Sequence, residues 1–495
     1  MDELADRIPP RLSTKFESTV PGSLVLIGPM QSLLRSVCFL FPLLIAIGTL
    51  EARRPNVIYM LVDDLGYGDL ACYGQKTLST PNLDRMASEG MRFTRHYTGS
   101  TVCAPSRCVL MTGLHTGHCR VRGNGPGVLL PSDVTVAAKM KEAGYKTGCF
   151  GKWGIGNPPP LDDPAIHGFD EFYGYVNMYH AHNFYPEFMV KNGEKVPTRN
   201  VSYADWKKQE AENPAREGFG VAKVKKDYAP TLISNEMIRF IENTHEEPFF
   251  VYYALNIPHT NNEAGRDERV GKDGMEVPSH GQFSDKDWPS PEKGFARMIE
   301  IIDGEVGKIL LKLKQLGIDE DTILLFASDN GPHQEGGHKA DFFDSNGPLR
   351  GIKRDLTEGG IRTPFIVRWP GTVKAGSESS HISGFQDLMP TLCDLVGVES
   401  PGTDGISFLP TLRGKGMQKK HSHLYWEFGE RGPAQAVVQG KWKAIYSKPR
   451  RAKEYQMELY NIETDIAEET NLVDKHPEVW QSLRRLMDVS HEDEK

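Results

Sequence analysis

Val57-Ile58-Tyr59-Met60-Leu61-Val62, entered through Asn56, runs without interruption into Asp63-Asp64. A strand with one face in water would alternate polar and apolar residues. An unbroken run of this kind therefore predicts a strand buried on both faces, as in a parallel sheet. Three other runs share the design. Lys146-Thr147-Gly148-Cys149-Phe150 ends in Gly151-Lys152, Phe249–Leu255 runs toward Pro258-His259, and Thr322–Ala327 runs into Ser328-Asp329-Asn330-Gly331. Helical patterns separate them. Val134–Ala143 follows a cap at Ser132 or Asp133 and closes at Gly144, and Asp227–Asn243 carries Leu232, Ile233, Met237 and Phe240. Arg297–Leu316 repeats apolar residues at helical spacing and stops at Gly317. Alternating strands and helices predict an α/β fold, a sheet with helices on both faces. In such sheets ligands sit beyond the carboxyl ends of the strands. Asp63, Asp64, Lys152, His259, Asp329 and Asn330 all fall there.

The last part of the chain changes character. Leu424–Phe428, Ala434–Gln439, Trp442–Tyr446 and Glu458–Tyr460 are short runs between Gly, Pro and basic turns, and Pro477–Val489 has one apolar face. They predict a small antiparallel sheet and a helix. The expected organisation is an N-terminal extension over 1–52, a catalytic α/β domain over 53–412 and a C-terminal α+β subdomain over 413–495. Within the extension, Val37–Leu50 is short for a bilayer span and fits the apolar region of a secretory signal, with Ala46-Ile47-Gly48 as a small-x-small cleavage pattern. Met30 is an alternative start. The expectation is export, periplasmic or secreted, with no stable membrane span after processing and an anchor if the segment is not cleaved.

Over 495 residues, 58 Lys and Arg against 66 Asp and Glu leave a net charge of −8, without the basic excess of a nucleic-acid binder. Hydrophobic residues at 39% and charged residues at 25% exclude wholesale disorder. Seven cysteines with no C-x-x-C pair exclude a disulfide scaffold and a zinc ribbon.

Asp63-Asp64 and Asp329-Asn330 offer oxygen ligands, which select a hard cation, Ca²⁺ or Mg²⁺. Without one, three carboxylates at one point would repel and raise one another's pKa values. Cys103-Ala104-Pro105-Ser106-Arg107 opens a helix, with Pro105 suited to a first helical position. A thiol just before a helix N-terminus can have a depressed pKa; a buried structural thiol, or a disulfide with Cys108 or Cys119, are the alternatives. Lys152, Lys353, Arg107 and Arg362 could converge on an anion, and Gly359-Gly360 beside Arg362 would let backbone approach a ligand. His259 could act as a general acid near neutral pH. Tyr173–Tyr185 reads as a long loop whose Asn177, His180, His182 and Tyr185 could bind sugar hydroxyls. His180, His182, His333 and His338 lack the H-E-x-x-H helix that would support zinc.

Cys103-Ala104-Pro105-Ser106-Arg107, followed by Met111-Thr112-Gly113, resembles the sulfatase signature C-x-P-S-R-x-x-x-[LM]-T-G. Asn56–Gly68, Gly151-Lys152-Trp153, Ile257-Pro258-His259, Asp329–His333 and Gly347–Pro364 extend the resemblance from Pro55 to about Val489. The chain resembles a type I, formylglycine-dependent sulfatase of the alkaline-phosphatase superfamily, of the bacterial polysaccharide-active kind. The resemblance implies a large mixed, mostly parallel sheet sandwiched by helices, with a smaller C-terminal antiparallel sheet plus helix. It implies that Cys103 is oxidised to formylglycine by a formylglycine-generating or radical maturation enzyme. Asp63, Asp64, Asp329 and Asn330 would hold Ca²⁺, with Mg²⁺ second, together with the modified Cys103. Hydrated formylglycine would attack sulfur while Arg107, Lys152 and Lys353 position the sulfate. His259, aided by Lys353, would protonate the leaving alcohol, and a covalent sulfate–enzyme intermediate would then collapse to the aldehyde. The implied substrate is a sulfated carbohydrate, with a galactose-type unit as the candidate sugar and Asn177, His180, His182, His333 and Arg362 as candidate contacts. Family members often carry His where this chain has Gly154, and His333 is expected to fill part of that space. A phosphoester or phosphonate hydrolase of the same superfamily, or a non-catalytic carbohydrate-binding relative, are the alternatives.

Overall fold

A computed structural model describes residues 54–125, 127–155, 163–175 and 177–493. The proposed extension over 1–52, with its Val37–Leu50 segment, lies outside the described residues. The four apolar runs become neighbouring parallel strands in the order Thr322–Ser328, Asn56–Asp63, Phe249–Pro258 and Lys146–Lys152, and Glu171–Tyr175 adds a fifth. Because all five run the same way, their polar ends share one edge. The sheet is mixed at its flanks. Arg362–Arg368 pairs antiparallel with Thr322–Ser328, and Met91–Tyr97 antiparallel with Arg362–Arg368. On the other side Phe188–Lys191 and Glu194–Pro197 continue it antiparallel. This is the mixed, mostly parallel sheet between helices that the sequence predicts.

The central strand explains the layering. Ile58, Met60 and Val62 pack with residues of the helices Pro81–Glu89, Ala229–Thr244 and Ser290–Gln315. Val57, Tyr59 and Leu61 pack on the opposite face with Cys103–Thr112, Val136–Glu142 and Leu388–Val396. None of these strand side chains is more than 1% exposed. At roughly 1.5–3 kcal/mol per large apolar side chain buried, they anchor the strand that ends in Asp63.

Some helix boundaries differ from expectation. Thr135, rather than Ser132 or Asp133, caps the helix before Gly144, its Oγ1 accepting from the Ala138 N–H at 3.1 Å. The helix expected to start at Arg297 starts at Ser290, with a proline in its first turn. Tyr173 to Tyr175 belong to the fifth parallel strand rather than to a loop.

The C-terminal strands Leu424–Phe428, Ala434–Gln439, Trp442–Ser447 and Gln456–Asn461 form an antiparallel sheet in chain order. One face, through Trp426, Phe428 and Ile445, packs with Tyr97, Val102, Leu356 and Ile361. The other, through Tyr425, Val437 and Leu459, packs with Trp480, Leu483 and Met487 of the helix Pro477–Ser490. At the junction the fully buried Lys443 lies 2.9 Å from Glu358 and 3.0 Å from Glu468. The small sheet is thus fastened beside Cys103 and the segment that carries Lys353.

Candidate active site

The carboxyl edge gathers the expected charges. Asp63 ends its strand, and Asp64 turns away with φ of 70°, in the left-handed region that non-glycine residues seldom adopt outside functional sites. Lys152, at the end of the parallel strand two places along the sheet, donates to Asp63 Oδ2 at 2.6 Å. Cys103 is the first residue of its helix, two positions earlier than Pro105, and its Sγ donates to Asp63 Oδ1 at 3.3 Å. Arg107 lies one turn further along the same helix face. It donates to Asp329 Oδ2 from Nε at 3.0 Å and Nη2 at 2.7 Å, and to the Lys152 carbonyl at 2.8 Å. Lys353 donates to Asp64 Oδ2 at 2.7 Å, its own backbone N–H bonded to the Pro332 carbonyl. Asn330 Nδ2 donates to Asp64 Oδ1 at 2.7 Å.

Burial and mutual charge set the protonation states. Burial opposes ionisation of Asp63, but Lys152, His259 and Arg107 outweigh it and hold the carboxyl well below its usual range. Burial and then Asp63 push Asp329 up to about 7, against Arg107 and Lys152. The Cys103 thiol does not have the depressed pKa expected of a helix N-terminus: burial, then Asp63, push it far upward. Nor is it in a disulfide; Cys103, Cys108 and Cys119 are all free. His259 is pulled down to about 3 by burial and then Lys353, with Asp64 opposing. Its Nδ1–H is held by the Thr260 carbonyl at 2.6 Å, which leaves Nε2 facing Asp64 at 3.5 Å as the nitrogen able to exchange a proton.

The donor set fits a hard divalent cation. Asp63, Asp64, Asp329 and Asn330 are all 0% exposed, and Asn330 Oδ1 has no hydrogen-bond partner in its buried position. Ligand atoms of Asp63, Asp64, Cys103 and His259 lie within 4.8 Å of one another. Asp329 is turned partly away, one oxygen on Arg107 and the other accepting from the Asp64 N–H at 3.1 Å.

A cavity of about 1170 Å³ opens over this cluster, lined among others by Cys103, Lys152, His182, His259 and Lys353. His182 stacks on His259 at 5.1 Å between ring centroids and faces Glu263 at 3.3 Å. The other residues expected to touch substrate are committed to the fold. Asn177 donates to the Glu217 carbonyl and accepts from the His180 N–H, and His180 Nε2 bonds the Phe188 carbonyl. Arg362 donates to the Thr94 carbonyl and Glu358. His333 bonds the Pro258 carbonyl through Nε2 and the Glu335 N–H through Nδ1, so neither nitrogen is free for chemistry. It does not fill the space at Gly154 either. The atoms nearest a side chain there belong to Lys152 and Arg107, and the φ of 69° disfavours any residue but glycine. Gly359 and Gly360 serve chain packing rather than a ligand: an added Cβ would strike the Gly351 and Asp355 carbonyls.

Two residues of the site carried no sequence signal. Tyr252 sits inside an apolar strand yet meets Arg107 at 3.4 Å. Glu335, five positions after Asn330, pairs with Arg354 at 2.7 Å and approaches Lys353 at 3.8 Å.

Buried carboxylates with matched cations, a nucleophile position and an open cavity define a hydrolase for an anionic ester. Residues 55–398 match the family described as Sulfatase, and residues 352–492 match N-sulphoglucosamine sulphohydrolase, C-terminal. The chain is 33% identical over 405 residues to the N-acetylgalactosamine-6-sulfatase of Rattus norvegicus, covering 77% of this chain and 70% of that protein. It is 30% identical over 509 residues to the N-acetylgalactosamine-6-O-sulfatase of Bacteroides thetaiotaomicron, covering 88% and 93%. A crystal structure of Ps i-CgsB in complex with k-i-k-neocarrahexaose superposes with a TM-score of 0.71 at 26% identity, covering 90% of this chain and 94% of that one. The chain belongs to the sulfatase family and is a sulfuric ester hydrolase. Among the described residues no helix is long and apolar enough to cross a membrane.

Proposed function

We propose that this enzyme removes sulfate from a sulfated carbohydrate, using a formylglycine made from Cys103 by a dedicated maturation enzyme, with Ca²⁺ at Asp63, Asp64, Asp329 and Asn330. The observation that carries the reading is the meeting of Cys103, those oxygen donors and Lys152 at the floor of one cavity. Hydrated, the oxidised side chain supplies the attacking oxygen, and bound Ca²⁺ supplies positive charge for the developing oxyanion. Lys152, Arg107 and Lys353 hold the sulfate and offset its charge. His259 moves the proton of the leaving alcohol at Nε2. The sulfate passes through an ester on residue 103 before release. Relatives named as N-acetylgalactosamine-6-sulfatases support a 6-O-sulfated sugar of galactose configuration as the substrate. Residues 53–412 then act as the catalytic domain and 413–495 as the subdomain that walls the cavity, in an exported protein.

The test is the mass of the peptide containing Cys103, from protein made beside a working maturation enzyme, with sulfate release from 6-O-sulfated N-acetylgalactosamine measured on the same sample. Aldehyde in place of thiol, with release, is expected. An intact thiol, while a control sulfatase is modified, overturns the nucleophile.

A further inference from the structure

The cavity is larger than the roughly 300–1,000 Å³ typical of a small-molecule site, so one sulfated sugar leaves much of it unfilled. Its wall is rich in basic side chains, most of them already neutralised. Lys152 and Lys353 have Asp63 and Asp64, Arg122 has Glu427, and Arg354 has Glu335. Arg216 and Arg266 line the same cavity, and neither has a carboxylate at ion-pair distance among the described residues.

Their position has a direction. His259 marks the side from which the alcohol leaves. From it a series of ring contacts leads outward: His182 stacks on His259 at 5.1 Å, Tyr179 meets His182 edge-on at 5.9 Å, and the Arg216 guanidinium lies over Tyr179 at 5.2 Å. The contacts with Tyr179 and Phe219 hold the guanidinium in place without using up its charge. Arg266 ends the short turn Ala264–Arg266, whose cap residue Glu263 faces His182. Arg216 therefore lies beyond the leaving-group side, where the rest of a carbohydrate chain would extend, and Arg266 lines the same cavity three residues from Glu263.

We infer that Arg216 and Arg266 form a subsite for a second anionic group, a sulfate or a carboxylate, on a sugar beyond the one that loses its sulfate. This rests on the carbohydrate sulfatase reading above and narrows it to oligosaccharides with more than one negative charge. A planar guanidinium offers paired donors to either anion.

Binding in the Cys103→Ala protein, loaded with Ca²⁺, tests the subsite without turnover. Three trisaccharides are compared by calorimetry, each with one terminal 6-O-sulfate: one with a neutral neighbouring sugar, one with a sulfate there, and one with a uronic acid there. The expected result is at least tenfold tighter binding of one or both doubly charged ligands. That advantage should vanish in Arg216→Ala/Arg266→Ala on the same background, and return in part in Arg216→Lys/Arg266→Lys. The better of the two ligands identifies the anion. An advantage that survives loss of both arginines, or no advantage at all, overturns the subsite while leaving the sulfatase reading intact. Failure to bind any of the three overturns both.

Discussion

Two clusters of buried charge sit within the same fold and serve different ends. At the sheet edge, Arg107, Lys152 and Lys353 balance Asp329, Asp63 and Asp64. At the junction with the C-terminal sheet, Lys443 and Arg362 balance Glu358 and Glu468. In both, basic and acidic side chains are matched in number, as buried charges must be paired to survive. The junction cluster has Lys443, Glu358 and Glu468 at 0% exposure and holds two sheets together. The edge cluster opens onto a cavity. The proposed divalent cation would give it an excess of positive charge that an anion can complete. Matched charge alone makes a rivet; matched charge with an opening and the proposed cation would make a sulfate site.

The largest effect that would sharpen this contrast comes from Cys103→Ala. A loss on the order of 10⁵ or more in kcat is expected, with the unfolding midpoint nearly unchanged, because the side chain matters to chemistry rather than packing. Activity and chemical denaturation of the same preparation check it. Lys443→Ala should do the reverse and destabilise the protein by about 3–5 kcal/mol, since it leaves two buried carboxylates without the charge of Lys443, with Arg362 reaching only Glu358. A loss below about 1 kcal/mol, as measured by urea denaturation, would mean the junction has other means of balance. Calcium should stabilise only through the edge cluster, by about 2.7 kcal/mol at a hundred times its dissociation constant. Asp329→Ala should erase that gain, and a gain that persists would move the ligands elsewhere. Smallest is Gly154→Ala, expected to cost about 1 kcal/mol for its left-handed backbone, with modest slowing as the methyl crowds Lys152.

The strands were legible because doubly buried strands need unbroken apolar runs, and the site was legible because those runs end in charges no core would choose. The antiparallel flanks were not. Arg92, Arg95 and His96 interrupt Met91–Tyr97, and they break the apolar signal although the strand pairs well. Substrate contacts were the least readable part. Asn177, His180, His333 and Arg362 have the right chemistry, but sequence does not say whether a polar side chain faces a ligand or the backbone. In each of the four, backbone or buried Glu358 takes it. Lys443 was missed for a related reason: a lone lysine in a short strand reads as a solvated charge until its two glutamates are in view.

The burial of Cys103 has a consequence in time. Cys103 is 5% exposed and lines a cavity whose lining also includes Tyr446, Arg484 and His491. That part of the lining exists only after the C-terminal sheet and the helix Pro477–Ser490 have docked. If Cys103 is oxidised as proposed, the step is expected before the C-terminal sheet docks, while the thiol is still open to a protein partner. On the proposed reading, a maturation enzyme supplied after folding would meet a thiol that is 5% exposed.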